Sequence, residues 1–291
     1  MSSADQAERI SLPSAGSELA GRYKLDKQLA AGGMGAVYAA TELSSGDAVA
    51  IKVLHPEFAE DRDIRRRFRR ESSVLAALEH PGVVRILDMG TDEKGRSYTV
   101  MELLRGETLH DAIRRDTGLA PARLVRIVHQ MCDALTAVHE HGVVHGDLKP
   151  ANVFLEGEGG DEKVKLVDFG LSKVHGLERL TKTGEVIGTP AYMAPELLTG
   201  EAAPDGRVDT YAVGVILYEA LSGRQPFTER NAGKLMFDIV MGRGTPFAEA
   251  APSVSASVVS VVEHAMAAKR DDRYGTPEEL AEAFAAAVTA G

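Results

Sequence analysis

The chain has a single cysteine, Cys132, in 291 residues. One cysteine excludes an intramolecular disulfide and fits a reducing compartment. Because it lies in a helical pattern, it reads as a small core residue rather than a nucleophile. An excess of positive charge is also missing: 33 Lys and Arg stand against 43 Asp and Glu, for a net charge of −10. That balance argues against a general nucleic-acid or anionic-membrane binder. No apolar run is long enough to span a bilayer; the most apolar, Tyr211 to Leu221, is broken by Glu219. The opening residues, M-S-S-A-D-Q-A-E-R-I, carry no signal-peptide pattern, and neither an internal repeat nor a low-complexity block occurs. These absences predict a soluble, cytoplasmic protein, long enough for two lobes with a sizeable core.

What is present gathers between Val143 and Gly170. Two short apolar runs, Val153–Leu155 and Val164–Val167, are joined by an acidic, Gly-rich connector. Such a pattern predicts a β-hairpin. Asn152 stands just before the first run and Asp168 just after the second, so the open end of the hairpin should bring their oxygens together. Converging oxygen donors suit a hard divalent cation such as Mg²⁺, which keeps its other positions for water and phosphate. Asp147 and Lys149 lie a few residues upstream. A carboxylate, a cation and a metal site in one locale are what phosphoryl transfer from a nucleotide needs.

Here a family resemblance becomes readable. H-G-D-L-K-P-A-N at 145–152 resembles the catalytic loop of protein kinases, and D-F-G at 168–170 their metal-binding motif. Upstream, A-A-G-G-M-G-A-V-Y at 30–38 bares backbone N–H groups that can close over phosphates. It is no P-loop, since no Lys-Ser/Thr follows, but it resembles the kinase glycine-rich loop, G-G-M-G being similar to bacterial serine/threonine kinases of the eukaryotic-like (Hanks) type. Ala30 stands where that family usually has its first glycine. The strand A-V-A-I-K-V-L at 48–54 places Val49, Ile51 and Val53 on one face, and Ala50 and Lys52 on the other. A lysine on an inward face needs an anionic partner. Between Asp61 and Glu79, the residues Ile64, Phe68, Leu75 and Leu78 recur at helical spacing with Glu71 on the same stripe. A buried carboxylate needs a partner too, and Lys52–Glu71 resembles the ion pair between the third kinase strand and helix C.

The resemblance covers about residues 23 to 287 and implies an α+β, two-lobed protein kinase fold with a β-rich N-lobe and a helical C-lobe. The expected layout is a flexible arm at 1–20, then the kinase domain at 21–291, with the N-lobe at about 21–103 and the C-lobe at about 104–291. M-E-L-L-R-G-E at 101–107 would be the hinge, with Met101 as gatekeeper. The implied cofactors are ATP and Mg²⁺ (or Mn²⁺). The resemblance assigns Leu29, Gly32, Gly35, Val37, Ala50, Lys52, Met101, Glu102, Leu104 and Phe154 to the nucleotide, and Asn152 and Asp168 to the metal. Asp147, Lys149, Lys52 and Glu71 would be catalytic. Leu75, Ile86, His145 and Phe169 would stack as a spine. Asp209 would cap the catalytic loop, and Arg273 would pair with Glu196 of A-P-E. Protein substrates with Ser/Thr acceptors are implied, including the loop that carries Thr181 and Thr183, with Thr189 near the acceptor; a homodimer is a further implied partner. Gly146 replaces the usual arginine of the catalytic loop. That leaves Lys173 and the helix C arginines Arg66 and Arg67 to meet a loop phosphate, and implies weak dependence on loop phosphorylation.

Three rival readings accompany this one. A pseudokinase scaffold would be expected to lack Lys52, Asp147 or Asp168, and all are present. A small-molecule kinase shares the fold core, but Lys149-Pro150 and G-T-P-A-Y-M-A-P-E at 188–196 belong to kinases of proteins. His139, His141 and His145 form H-x-H-x-x-x-H, readable as a metallohydrolase cluster, yet this explains neither the Gly loop nor Lys52. On the kinase reading His145 is a core residue, and His139 and His141 lie on the surface at a helix end.

Overall fold

The computed structural model describes residues 11–32, 35–55, 58, 61–157, 161–169, 190–200 and 203–291, with the backbone alone at 63, 64, 67 and 71. The chain divides into two compact units: Met1–Glu79 with Val84–Leu104, and His80–Val83 with Arg105–Gly291.

In the first unit, β1 (Glu18–Leu19), β2 (Tyr23–Gly32), β3 (Gly35–Glu42), β4 (Ala48–Leu54), β5 (Ile86–Thr91) and β6 (Ser97–Glu102) form one antiparallel sheet in the order β1-β2-β3-β4-β6-β5. Its register sorts the side chains by face, because residues directly opposite share a face and so do those two apart. Tyr38 lies opposite Ile51 and Ile51 opposite Val100. Together with Val49, Val53, Tyr23, Leu25 and Tyr98, they build a buried apolar cluster on one side. Val37 lies opposite Lys52, Lys52 opposite Thr99, and Ala50 opposite Met101, so the other side carries small residues around a lysine. Helix α1 (Arg62–Ala77) packs on β5. It also meets β6, where Ser72 Oγ lies 3.1 Å from Thr99 Oγ1, and so covers the lysine-bearing face.

Three expectations change here. Residues 11–20, read as part of a flexible arm, are packed. Leu19 is fully buried in β1, Leu12 rests on the apolar cluster, and Tyr38 Oη donates to Pro13 O at 2.8 Å. The tyrosines of the sheet need an apolar cover, and the Ser- and Ala-rich composition of this segment hides the residues that supply it. The apolar run Val83–Leu87 predicts a strand, but the strand observed runs from Ile86 to Thr91. Val83 and Val84 are buried outside that ladder, Val83 bridging to Leu166. A third strand, β7 (Gly106–Thr108), lies where the pattern already reads as helical, and pairs with the second-unit hairpin.

The second unit holds that hairpin, β8 (Val153–Glu156) and β9 (Lys163–Leu166), and helices α2 (Leu109–Asp116), α3 (Pro121–Glu140), α4 (Pro195–Thr199), α5 (Arg207–Ser222), α6 (Ala232–Val240), α7 (Phe247–Ala250), α8 (Ala256–Ala265) and α9 (Pro277–Ala290). Thr108 with Asp111, and Thr276 with Glu279, form capping boxes that start α2 and α9. Helix α5 is buried without interruption from Val208 to Ala220. Helices α3, α7, α8 and α9 pack around it, as its all-round apolar pattern requires. Among the described residues, no helix is long and apolar enough to cross a membrane.

Candidate active site

The catalytic-loop segment is shaped from below by helix α5. Asp209, in its first turn, is 1% exposed. Its Oδ2 accepts from His145 N at 2.8 Å, and its Oδ1 from Gly146 N at 2.8 Å. Two buried backbone donors are thereby satisfied, and the chain is turned between them. The turn needs φ +68° at Gly146, and a Cβ there would meet nothing within 4 Å. Glycine answers a backbone demand at this position rather than a shortage of space.

His139 approaches the same carboxylate, its Nε2 2.8 Å from Asp209 Oδ2. The expectation of a surface histidine fails at this residue. Its partner is 70 positions away in sequence, so no local pattern announces the contact. His141 is exposed and bonds Ala137 O through Nδ1. His145 is fully buried, and burial lowers its pKa. Its Nε2 lies 3.1 Å from Val167 O; a carbonyl only accepts, so the proton of the neutral ring sits on Nε2. The three histidines therefore take three separate partners. Among the described residues, no group of three or more His, Cys, Asp or Glu gathers to hold a metal ion.

Past this turn, Asp147, Lys149 and Asn152 meet. Lys149 Nζ donates to Asp147 Oδ2 at 3.0 Å. Asn152 Nδ2 donates to Asp147 O at 2.8 Å and to the same Oδ2 at 3.2 Å. One carboxylate oxygen thus takes two donors, which fixes the plane of the group. Asn152 is 5% exposed and closes a short 3-10 turn, Pro150–Asn152, that leads into β8.

The hairpin then returns the chain to the same place. Val153 pairs with Leu166, and Val167 N donates to Asn152 O at 3.0 Å, so Asn152 and Asp168 lie at one end of the ladder. Asp168 adopts φ +54°, an uncommon conformation for a residue with a side chain and one that gathers at functional sites. Phe169 follows and packs on the His145 ring, centroids 4.5 Å apart. Helix α3 clasps the hairpin from outside. Gln130 Nε2 donates to Glu162 O at 3.0 Å while its Oε1 accepts from Val164 N at 3.2 Å, and Arg123 pairs with Glu162. No motif in the sequence points to Gln130.

At the far side of the segment, Arg273 meets Glu196 through two parallel bonds of 2.8 Å. The Arg273 side chain is fully buried and also donates to Ala267 O at 2.7 Å. Tyr192 donates to Glu219 of α5 and accepts from Gln225 Nε2 at 3.0 Å. Glu219, which breaks the longest apolar run, was the signal that a buried partner must exist.

The residues expected at the nucleotide divide between the two units. Leu29, 45% exposed, lies in β2. Gly32 and Gly35 pair across the turn that follows, and a Cβ on Gly35 would fall 2.0 Å from Val53 O, so only glycine fits there. Val37, Ala50, Lys52 and Met101 share one sheet face. Glu102, whose N–H donates to Arg85 O at 3.1 Å, ends β6, and Leu104 follows it. Phe154 lies in β8, opposite Thr108 and Lys165. The side chain of Glu71, Gly33 and Met34, and the whole stretch 170–189 with Lys173, Thr181, Thr183 and Thr189, lie outside the described residues.

Comparison with known proteins agrees with this geometry. The protein kinase domain family matches residues 23–285. A probable serine/threonine-protein kinase of Corynebacterium efficiens is 38% identical over 272 residues, covering 90% of this chain and 41% of its own length. The serine/threonine-protein kinase PknJ of Mycobacterium tuberculosis is 39% identical over 282 residues, covering 96% of this chain and 47% of its own. The chain thus spans less than half the length of these curated relatives. The crystal structure of the Mycobacterium tuberculosis PknI kinase domain superposes with a TM-score of 0.75 at 29% identity, covering 95% of this chain and 99% of that one. The fold is the two-lobed α+β fold of that domain.

Proposed function

Because the chain belongs to the protein kinase family, we propose that it transfers the γ-phosphoryl group of ATP to serine and threonine hydroxyls of proteins, its own among them. ATP as donor and a divalent cation go with that family, and Mg²⁺ or Mn²⁺ is the ion we assign. The donor set suits a hard cation. Both hydrogens of the Asn152 amide are directed at Asp147, so its oxygen is the atom suited to a metal, and Asp168 offers carboxylate oxygens. When bound, such an ion neutralises charge on the phosphates.

The chain's own residues supply the rest. Asp147 aligns the acceptor hydroxyl and takes its proton as the oxygen attacks phosphorus. Lys149, bound to the same carboxylate, steadies the phosphoryl group in transit. Lys52, supported by Glu71, holds the α- and β-phosphates. Leu29, Gly32, Gly35, Val37, Ala50, Met101, Glu102, Leu104 and Phe154 complete the nucleotide set. The observation that carries this reading is the convergence of Lys149 and Asn152 on one oxygen of Asp147, at 3.0 and 3.2 Å. Catalysis by such a site is mostly positioning and charge neutralisation. We place the protein in the cytoplasm, on the ground that a single cysteine excludes an intramolecular disulfide and fits a reducing compartment.

The test is transfer of labelled phosphate from ATP to a generic protein substrate, with an EDTA control. Asp147→Asn, Asp168→Asn and Lys52→Met should each lower turnover at least about a hundredfold, with melting curves unchanged. Undiminished turnover in Asp147→Asn, contaminating kinases excluded, would remove Asp147 from the role. Phosphotyrosine as the main product would replace the assigned acceptor.

A further inference from the structure

Helix α1 spends one side on packing and leaves the other with a concentration of like charge. Ser72 and Leu75 face inward and are buried. Arg62, Arg66, Arg69 and Arg70 are exposed, and Arg65 is half-buried at the border. At 100° per residue, these five fall within an arc of about 140° and extend about 12 Å along the axis. Several arginines elsewhere are paired, among them Arg22 with Asp88, Arg96 with Asp92, Arg123 with Glu162, Arg207 with Asp205 and Arg273 with Glu196. On α1, among the described residues, none of the five guanidinium groups meets a carboxylate, and Arg65 Nε is buried without a hydrogen-bond partner. Like charges at i and i+4, as at 62/66, 65/69 and 66/70, destabilise a helix. Although the chain has a net charge of −10, its described carboxylates do not neutralise the stripe.

We infer that the exposed face of α1 is a docking site for a phosphorylated segment of a separate protein, one carrying two phosphoserines or phosphothreonines three or four residues apart. Three observations lead there. The stripe contains arginine and no lysine, and the planar fork of arginine meets phosphate oxygens in pairs where lysine offers a point charge. Its length, about 12 Å, matches the reach of three to four residues of extended chain at about 3.3 Å each. A nucleic acid or an anionic membrane would extend past this patch and meet the repulsion of an acidic molecule. The described carboxylates of the chain leave the stripe unpaired, which keeps it open to an anion from outside. The inference concerns binding and stands whether or not the catalytic reading holds.

The experiment uses the full chain, treated with phosphatase, and a fluorescein-labelled peptide bearing two phosphothreonines four residues apart, followed by anisotropy. The peptide should bind, lose affinity as NaCl rises, and fail to bind in its unphosphorylated form. Changing Arg62, Arg66, Arg69 and Arg70 together to alanine should weaken binding about tenfold or more. Changing the same four to lysine keeps charge and helix, and should still weaken it several-fold; circular dichroism checks that both variants fold. Equal affinity in the alanine variant would overturn the site, and equal affinity in the lysine variant would overturn the fork-based recognition. Tighter binding of a short DNA duplex or of phosphatidylserine vesicles through the same arginines would reassign the partner class. Loss of peptide binding after the chain phosphorylates itself would replace the separate protein with a segment of this chain.

Discussion

Helices α1 and α5 are both sixteen residues long, yet they carry charge under opposite conditions. Helix α5 is buried on nearly every side, and each of its charged groups has a specific partner. Asp209 takes two backbone N–H groups and lies against His139, Glu219 takes the Tyr192 hydroxyl, and Arg207 pairs with Asp205 and Asp271. Helix α1 buries only one face, and among the described residues its exposed arginines, Arg62, Arg66, Arg69 and Arg70, meet no carboxylate. The difference follows from the dielectric around each group. A buried charge costs several kcal/mol unless it is bonded, so those that persist in α5 hold structure together. An exposed charge costs little and is free to serve recognition.

Substitutions can break or sharpen this contrast. The largest effect is expected at Asp209. Asp209→Ala leaves two buried N–H groups without acceptors and should cost about 3–5 kcal/mol in urea denaturation, with phosphoryl transfer falling as the catalytic loop loses its anchor. Stability close to that of the parent would mean that water replaces the carboxylate and that α5 is not the organiser of the loop. A smaller loss, about 1–3 kcal/mol, is expected for Tyr192→Phe, which takes a donor from buried Glu219 and an acceptor from Gln225. A thermal melt unchanged by that substitution would show that Glu219 is satisfied by other means. Gly146→Ala should cost about 1–2 kcal/mol, from the left-handed conformation alone, since the space around its Cβ is open. A loss well beyond that range would point to a hidden clash. The smallest effect belongs to α1: Arg66→Ala with Arg69→Ala should move stability by no more than about 0.5 kcal/mol. A large loss there would erase the contrast between the two helices.

Much of the candidate site was legible in the sequence. Asp147, Lys149, Asn152 and Asp168 sit within 22 consecutive residues, and the path between them is a short hairpin, so local pattern alone places their groups at one end of it. Lys52 was legible for a similar reason, because period-two alternation in β4 separates it from Val49, Ile51 and Val53. The packing of Leu12, Pro13 and Leu19 onto the sheet was not, because these residues, spread through a small, polar segment, give no periodicity. Nor were His139 and Gln130, whose partners are distant in sequence or are backbone groups without identity.

The sequence by itself determined what depends on neighbours along the chain: the strand and helix periods, the hairpin, the capping boxes, the buried character of α5 and the clustering of Asp147, Lys149, Asn152 and Asp168. Its net charge of −10 also argues against a broad polyanion binder without reference to any fold. Only the tertiary structure decided which carboxylate receives which donor. Asp209 could have bonded to any nearby N–H; packing of α5 beneath the loop selected His145 and Gly146 and added His139. In the same way, six arginines between residues 62 and 70 read equally as ion-pair partners or as a binding surface. Desolvation rewards pairing only where water is excluded, and the docking of α1 on β5 and β6 set which of its faces that would be.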